Sequence, residues 1–387
     1  MSRRRPERCE SRSGAIVAAL SLPDQREGPE ERLAELSLLL ASLGIETLGS
    51  AAQGRGEPSP ATLVGRGKAE ELRLFCSSQR ARYLVFDEAL SPVQRANLEA
   101  LTKVTVWDRP FVIMKIFERR ALTAEARLQV QMAMARYEIP HLKGLGLQMS
   151  RTGGGIGTRG PGETEFERHR RRLERQVRDI AKKLENVRRQ RRLVRDRRRK
   201  RGLPTVSLVG YTNSGKSTLL RALSGDGTIV AQDRLFSTLD TSVRRIPLPG
   251  GGAFLLSDTV GFIRSLPPEL VAAFRATLEE IQEAELLLLV LDASDARAME
   301  TCQVIFDTLL AIRCHELPRF LVLNKLDAVQ RTEAEVLAAA LENAGENVVR
   351  VSALRGDGLL ELRQEIERFL TESNPWFTRP SGLQGAL

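Results

Sequence analysis

A glycine-rich segment near the middle of the chain carries the strongest chemical signal. Residues 210–217 consist of a glycine, four further residues and then Gly-Lys-Ser. The segment follows an apolar run typical of a strand and precedes a predicted helix, so its backbone N–H groups face phosphates. Lys216 is expected to contact the β- and γ-phosphates, and the Ser217 hydroxyl to bind Mg²⁺. The residues predicted to bind here are Gly210, Tyr211, Thr212, Asn213, Ser214, Gly215, Lys216, Ser217 and Thr218.

A second motif, at 258–261, ends another apolar run and is predicted to complete the phosphate and magnesium site. The Asp258 carboxylate suits the Mg²⁺ shell, and the absence of a side chain lets the Gly261 N–H approach the γ-phosphate. Lys216 and Gly261 are therefore candidate catalytic residues. The residues of this motif are Asp258, Thr259, Val260 and Gly261.

Residues 235–241 lie between these two motifs, where a mobile switch is expected to present a threonine to Mg²⁺ and the γ-phosphate. Thr238 is the preferred candidate for both the catalytic and the metal-binding role, and Thr241 and Ser237 are alternatives. Phe262 follows the 258–261 motif, where many GTPases carry a glutamine that orients water. An apolar residue cannot do this, so we expect slow intrinsic hydrolysis that a partner or another residue completes.

Two further motifs, each at the end of a predicted strand, indicate which base is bound. The Asp327 carboxylate can accept hydrogen bonds from guanine N1–H and the 2-amino group, a pair of donors that adenine lacks. The segment 352–354 can offer a backbone N–H to guanine O6. Because ligands bind at the carboxyl ends of parallel strands, all four motifs in this order predict a GTP and GDP site. The base-side residues are Asn324, Lys325, Asp327, Ser352, Ala353 and Leu354.

The composition indicates the general class of protein. A chain of 387 residues with 42% hydrophobic and 28% charged residues is typical of a soluble protein of two or three domains. The four cysteines lack metal-ligand spacing, which favours reduced thiols in a cytosolic protein. The longest run of mainly apolar residues, 284–291, is interrupted by Glu285 and is far shorter than the ~20 residues that span a bilayer. We expect a cytoplasmic monomer without stable membrane insertion; weak membrane association stays open.

The net charge of +10 is concentrated in one segment. Residues 163–201 contain 18 basic and 7 acidic residues, a net of +11. Contacts between basic side chains and phosphates dominate polyanion binding, so this segment predicts contact with RNA. Basic amphipathic helices also bind anionic lipid, and a membrane surface is the alternative partner. The densest arginines are Arg168, Arg170, Arg171, Arg172, Arg188, Arg189, Arg191 and Arg192.

The elements that must position these residues fall into three regions. Strands alternate with helices over 15–120, which predicts a small α/β domain with a mainly parallel sheet, after a disordered segment at 1–14. In this domain the loop 64–68 could touch phosphate or RNA, but it is not a complete phosphate-binding loop. Over 203–372 the alternation returns with longer apolar strands, which predicts a doubly wound parallel sheet. A short tail, 373–387, follows.

The region between the domains, 121–202, is predicted to be a helical linker. One helix over 122–138 is expected to stop before Pro140. A glycine-rich loop over 153–163 separates it from a basic helix over 164–200, whose apolar residues recur at coiled-coil spacing. We expect the two helices to form a hairpin. The loop is a candidate for coupling the domains, and a flexible tether is the alternative.

Over about 15–372 the chain resembles the HflX family of translational GTPases. The resemblance rests on VFDEALSPVQRANLE at 85–99, the segment 107–146, and GGIGTRGPGETEFERHRRRL at 154–173. Within the last stretch, GPGET is the most distinctive part. LFSTLD and the segment 258–280 also resemble switches of that family. The sequence departs from the family pattern in LDTSVRR, in His141, and in a short C-terminal tail where some members carry a further domain.

The resemblance implies a GTPase that binds the large ribosomal subunit and its rRNA. It also implies stimulation of GTP hydrolysis by ribosomes, with Mg²⁺ as the cofactor, and a role in ribosome splitting, rescue or assembly. Some members also hydrolyse ATP, so a secondary ATPase activity stays open. The alternative function is a regulatory GTPase that acts on another RNA or at an anionic membrane surface.

Overall fold

The computed structural model describes residues 14–23, 28–121, 123–152, 161–200, 203–225, 242–258, 261 and 281–373. The chain divides into two compact units. The first comprises 1–119 and 130–180, and the second comprises 120–129 and 181–387. The segment 121–202, predicted as one linker, therefore contributes to both units.

The first unit contains a four-stranded sheet of order β2-β1-β3-β4, in which every neighbouring pair is parallel. β1 is buried along almost its whole length, as expected of a strand that helices cover on both faces. The predicted parallel α/β domain is thus confirmed. Its elements are β1 (Gly14–Ser21), α1 (Pro29–Ser42), β2 (Glu46–Gly54), α2 (Arg66–Ser78), β3 (Tyr83–Phe86), α3 (Pro92–Thr102), β4 (Thr105–Asp108) and α4 (Arg109–Arg120).

Two details of this unit differ from the sequence-based expectation. The segment YLVFDEAL at 83–90 is typical of a single strand, but β3 ends at Phe86, and Asp87 beyond it accepts a hydrogen bond from Arg109 at 2.8 Å. The helix α4 was not predicted. Its first turn begins at the carboxylate of Asp108, which accepts from the Phe111 N–H at 3.0 Å and so acts as a helix cap. The end of β3 is followed by a contact distant in sequence, whereas Asp108 as the cap and Pro110 in the first turn are local signals that could have predicted the start of α4.

The next helix, α5 (Ala124–Thr152), passes through Pro140, so the prediction that it stops before this proline is wrong. A proline inside a helix removes one backbone hydrogen bond and costs about 3 kcal/mol. Tertiary contacts before the proline offset this cost: Val130 and Ala133 are buried, and the Tyr137 hydroxyl donates to Asp108 at 2.8 Å. The imidazole Nδ1 of His141 lies 2.7 Å from the Tyr137 carbonyl oxygen, across the same turn.

The basic helix, α6 (Pro161–Lys200), is longer than predicted at its start, so Pro161 and Gly162 belong to its first turn and not to the loop. Proline is favoured at that position because its missing N–H would have no partner there. The predicted apolar seam is buried at Leu173, Ile180 and Leu184. The hairpin pairing of this helix with 122–138 stays a prediction.

The second unit contains a six-stranded sheet of order β10-β9-β8-β5-β7-β6. Five strands are parallel as predicted, but β6 runs antiparallel to β7 at the sheet edge. Two buried apolar clusters cover the faces of the sheet. None of the helices in the described parts of the chain is long and apolar enough to cross a membrane. The elements are β5 (Thr205–Gly210), α7 (Lys216–Ser224), β6 (Ser242–Pro247), β7 (Ala253–Asp258), β8 (Leu286–Asp292), α8 (Ala298–Ala311), β9 (Arg319–Asn324), a 3₁₀ turn (Leu326–Ala328), α9 (Arg331–Asn343), β10 (Val348–Arg350) and α10 (Leu359–Ser373).

Candidate functional site

The glycine-rich loop connects the central strand β5 to α7, as its sequence context predicts. Gly215 has φ 93°, and a β-carbon at this position would lie 2.2 Å from Asn324 Nδ2. A β-carbon on Gly210 would lie 2.4 Å from the Val290 carbonyl oxygen. Glycine is favoured at 215 by the positive φ and the adjacent Asn324 side chain, and at 210 because a β-carbon would meet the backbone of β8. The loop therefore packs closely against the carboxyl ends of β8 and β9.

Lys216 begins α7 with its side chain turned back over the loop. Its Nζ donates to the carbonyl oxygens of Gly210 at 3.1 Å and Tyr211 at 2.7 Å. Burial lowers the pKa of Lys216 to about 8, and the nearby Asp258 carboxylate partly opposes this shift. A phosphate beside Nζ would favour the charged form again, so a phosphate ligand complements this lysine.

Two of the three predicted magnesium ligands meet in the structure. The Ser217 hydroxyl donates to Asp258 Oδ2 at 2.8 Å, although the two residues are 41 positions apart in the chain. A hydroxyl and a carboxylate oxygen are hard donors of the kind that Mg²⁺ takes together with phosphate oxygens and water. In the same loop the hydroxyls of Thr212 and Ser214 are buried and have no hydrogen-bond partner among the described residues. These oxygen donors fit a bound magnesium–nucleotide complex.

Gly261, which follows β7, lies directly against the loop. A β-carbon on it would come within 3.0 Å of Lys216 Nζ and of Thr212 Cα. The phosphate end of the site thus combines residues from the loop with residues that follow β7. The other predicted residues of this end, Thr238 with its alternatives Ser237 and Thr241, and also Thr259, Val260 and Phe262, lie outside the described residues.

The base-side residues converge at the ends of β9 and β10. Asn324 is buried and donates through Nδ2 to the Ser214 carbonyl oxygen at 2.9 Å, which ties this strand to the phosphate loop. Its Oδ1 accepts from the Ala353 N–H at 3.0 Å. In this structure Asn324 therefore occupies the Ala353 N–H. The Ser352 N–H donates to the Asp357 carbonyl oxygen at 3.0 Å. Of the three N–H groups at 352–354, that of Leu354 is therefore the candidate donor to guanine O6 among the described contacts.

Asp327 and Lys325 are each held by a different neighbour. The Ser352 hydroxyl donates to Asp327 Oδ1 at 2.5 Å, which leaves the second carboxylate oxygen for another contact. Lys325 Nζ lies 2.6 Å from Asp292 Oδ2. Asp292 was not predicted as a site residue, because it ends β8 outside any recognised motif. Its position at a strand end is the signal that could have identified it.

A sheet of this topology with a phosphate-binding loop, an Asp-x-x-Gly motif and an Asn-Lys-x-Asp motif defines a P-loop GTPase. Three family models match the chain. They are described as GTP-binding GTPase N-terminal, over residues 30–118; GTP-binding GTPase middle region, over 120–198; and 50S ribosome-binding GTPase, over 205–325.

Curated relatives identify the family within this class. GTPase HflX of Caldanaerobacter subterraneus subsp. tengcongensis is 41% identical over 355 residues, which cover 92% of this chain and 80% of the relative. GTPase HflX of Escherichia coli is 42% identical over 341 residues, covering 88% and 79%. The chain belongs to the HflX family of GTPases, and it is an enzyme that hydrolyses GTP to GDP and phosphate.

A solved structure shares the fold over most of the chain. The crystal structure of SsGBP in complex with GDP matches 93% of this chain and 99% of its own, with a TM-score of 0.50 and 24% sequence identity. At this level of identity the likeness shows the fold alone.

Proposed function

We propose that this GTPase binds the large ribosomal subunit through α6 and couples GTP binding and hydrolysis to ribosome splitting, rescue or assembly. The observation that carries the proposal is the distribution of charge on α6. Its buried side is the apolar seam, and its other side presents exposed cations to solvent. The exposed cations among the described side chains are Arg168, Arg171, Arg172, Arg175, Arg178, Lys182, Lys183 and Arg189.

Few acidic side chains compensate these cations. Among the described side chains of α6, Arg171 pairs with Glu167 at 2.7 Å, and Arg170 lies 3.5 Å from Glu174. Exposed ion pairs of this kind contribute only about 0.2–1 kcal/mol to stability. Phosphate groups of RNA can therefore replace the carboxylates as partners of these arginines at little cost. The family described as 50S ribosome-binding GTPase, which matches 205–325, supports a ribosomal polyanion over other RNA.

In the nucleotide site, the loop N–H groups and Lys216 hold the β- and γ-phosphates, and Asp327 recognises guanine. Ser217 and Asp258 would hold Mg²⁺, with Thr238 as the proposed third ligand from the protein. When bound, Mg²⁺ neutralises charge on the phosphate oxygens. The Gly261 N–H contacts the γ-phosphate, so the segment after β7 changes its contacts when that phosphate is lost. GTP hydrolysis can in this way be transmitted to the ribosome-binding parts of the chain.

Co-sedimentation with purified large subunits over a range of salt concentrations tests the proposal. The triple variant Arg171→Ala, Arg172→Ala, Arg175→Ala should bind more weakly, and the slope of log affinity against log salt should fall by about 0.7–0.9 per lost phosphate contact. The matched control replaces three helix arginines outside α6, Arg73, Arg331 and Arg368, with alanine. Equal binding by both variants would refute the role of α6.

Flotation with vesicles that contain anionic lipid tests the alternative. The narrow seam of α6 and its lack of tryptophan favour a macromolecular partner over lipid. Binding to vesicles without binding to subunits would replace the ribosome with a membrane surface as the partner.

A further inference from the structure

The sheet of the second unit brings an additional acidic residue to the guanine side of the site. β8 ends at Asp292 and β9 ends at Asn324, and these two residues are register partners in a parallel pair. Residue 325, which follows, therefore lies beside the end of β8. The ion pair between Asp292 and Lys325 is the direct result, and it joins the Asn-Lys-x-Asp motif to the neighbouring strand.

The Asp292 carboxylate is itself fixed in direction. Its Oδ1 accepts two hydrogen bonds from Ser294, one from the backbone N–H at 3.0 Å and one from the hydroxyl at 2.6 Å. Its Oδ2 is the atom that faces Lys325. The side chains of Lys325 and Asp292 are only 29% and 22% exposed, so this pair is screened less than an ordinary surface ion pair.

The backbone of Lys325 needs such support. Its φ of 65° and ψ of 35° lie in the left-handed region, which is uncommon for a residue with a β-carbon. Lys325 precedes the 3₁₀ turn that carries Asp327, and the Ala328 N–H donates to the Lys325 carbonyl oxygen at 2.9 Å. The direction of the Asp327 side chain therefore depends on the conformation at 325.

We infer that Asp292 is a positioning residue for the guanine nucleotide. Its ion pair holds Lys325 in the left-handed conformation and so maintains the turn that directs Asp327 toward the base. This role rests on the proposed guanine site at Asn324 and Asp327, and it is independent of any ribosomal partner.

Stopped-flow measurement of fluorescent GDP binding to the full chain tests the inference. Asp292→Asn should weaken GDP binding roughly tenfold, mainly through faster dissociation, because a charged hydrogen bond that holds the turn is lost. Ser294→Ala should shift the Kd in the same direction by a smaller factor. A purely structural role would affect melting and leave these rates unchanged.

A double-mutant cycle with Lys325→Met separates the ion pair from indirect effects. If Asp292 acts through Lys325, the double variant should bind GDP about as well as the weaker single variant. The matched control is Glu346→Gln, which breaks the ion pair to Arg319 at the opposite end of β9 and should leave GDP binding within about twofold. Additive effects in the cycle, or GDP binding by Asp292→Asn within twofold of the parent, would overturn the inference.

The outcome for Asp327→Asn keeps this inference distinct from the guanine assignment. If Asp327→Asn leaves base preference unchanged, the guanine site itself is misplaced. If Asp327→Asn changes base preference while Asp292→Asn binds normally, only the positioning role of Asp292 fails.

Discussion

At the scale of single residues, the side chains on the base side of the site are hydrogen-bonded to one another and to the neighbouring backbone. Asn324 is held between Ser214 and Ala353, and Asp327 accepts from Ser352. Because these bonds fix side-chain rotamers, little conformational entropy is lost when the base binds. Discrimination between bases should then depend on the Asp327 carboxylate, whose Oδ2 and second Oδ1 lone pair can accept from guanine N1–H and the 2-amino group.

Substitution of Asp327 tests this directly. Asp327→Asn keeps the size of the side chain and removes the charge that accepts from guanine. We expect GDP binding to weaken by about 3 kcal/mol, roughly 100-fold, as two charge-assisted hydrogen bonds are lost. Binding of xanthosine diphosphate should improve, because its base carries a carbonyl at C2. Competition between the two nucleotides measures the preference, and an unchanged ratio would contradict the assignment.

The described cysteines are buried side chains of the hydrophobic cores. Cys76, Cys302 and Cys314 are buried, and burial raises the pKa of each thiol, for example to about 11 at Cys76. Thiolate is the reactive form, so these three side chains are protected from oxidation and alkylation in the folded protein. Cys9 lies outside the described residues. The expectation of buried reduced thiols is confirmed for the three that are described.

At the scale of elements, Asp108 connects β4 to two helices. It accepts from the Leu90 N–H at 3.0 Å, from the Phe111 N–H at 3.0 Å, and from the Tyr137 hydroxyl at 2.8 Å. Burial raises the pKa of this carboxyl, although the three donors favour its ionised form. The bond from Phe111 explains why α4 begins directly after Asp108. The bond from Tyr137 fixes α5 to the end of β4.

We expect the glycine-rich segment between α5 and α6 to couple the domains, and substitution of its glycines tests this. Gly160 precedes α6, and Gly162 lies in its first turn. The double substitution Gly160→Ala, Gly162→Ala should leave GTP affinity within about twofold and reduce stimulation of hydrolysis by ribosomes, because alanine narrows the backbone conformations at 160.

Single variants separate the two glycines. Alanine at 162 favours the helix that is already present there, so Gly162→Ala alone should have little effect. The loss of stimulation should therefore follow Gly160→Ala. Normal stimulation of the double variant would show that 153–160 is a simple tether.

At the scale of the whole molecule, the catalytic site is expected to be incomplete on its own. Phe262 offers no group that can orient the attacking water, so hydrolysis should be slow in the isolated protein. Groups supplied by partners accelerate other GTPases by about 10³–10⁵. We expect GTP turnover to rise strongly on addition of purified large subunits, and equal turnover with and without them would contradict this.

The same experiment separates binding from hydrolysis. Dissociation of ribosomes into subunits can be followed with GTP and with a non-hydrolysable analogue. Splitting with the analogue would show that the energy of binding separates the subunits and that hydrolysis serves release. Splitting only with GTP would make hydrolysis itself the driving step.

The sequence by itself determined the alternation of strands and helices in the two α/β domains, the mainly parallel sheets and the nucleotide motifs. Strand alternation, apolar runs and residues such as Lys216 and Asp258 lie within short segments, where local spacing dictates structure. Because the carboxyl ends of parallel strands share one edge, motifs far apart in the chain could be assigned to one site. The hydrogen bond between Ser217 and Asp258 shows that the start of α7 and the carboxyl end of β7 meet.

Only the tertiary structure decided the contacts that depend on register and packing. The ion pair of Asp292 with Lys325 follows from how β8 and β9 align, and the bond from Ala353 to Asn324 follows from where β10 ends. The antiparallel direction of β6 and the continuation of α5 through Pro140 likewise depend on partners distant in sequence. Local patterns carry no information on such partners, because each is selected by the burial and hydrogen bonding of the complete fold.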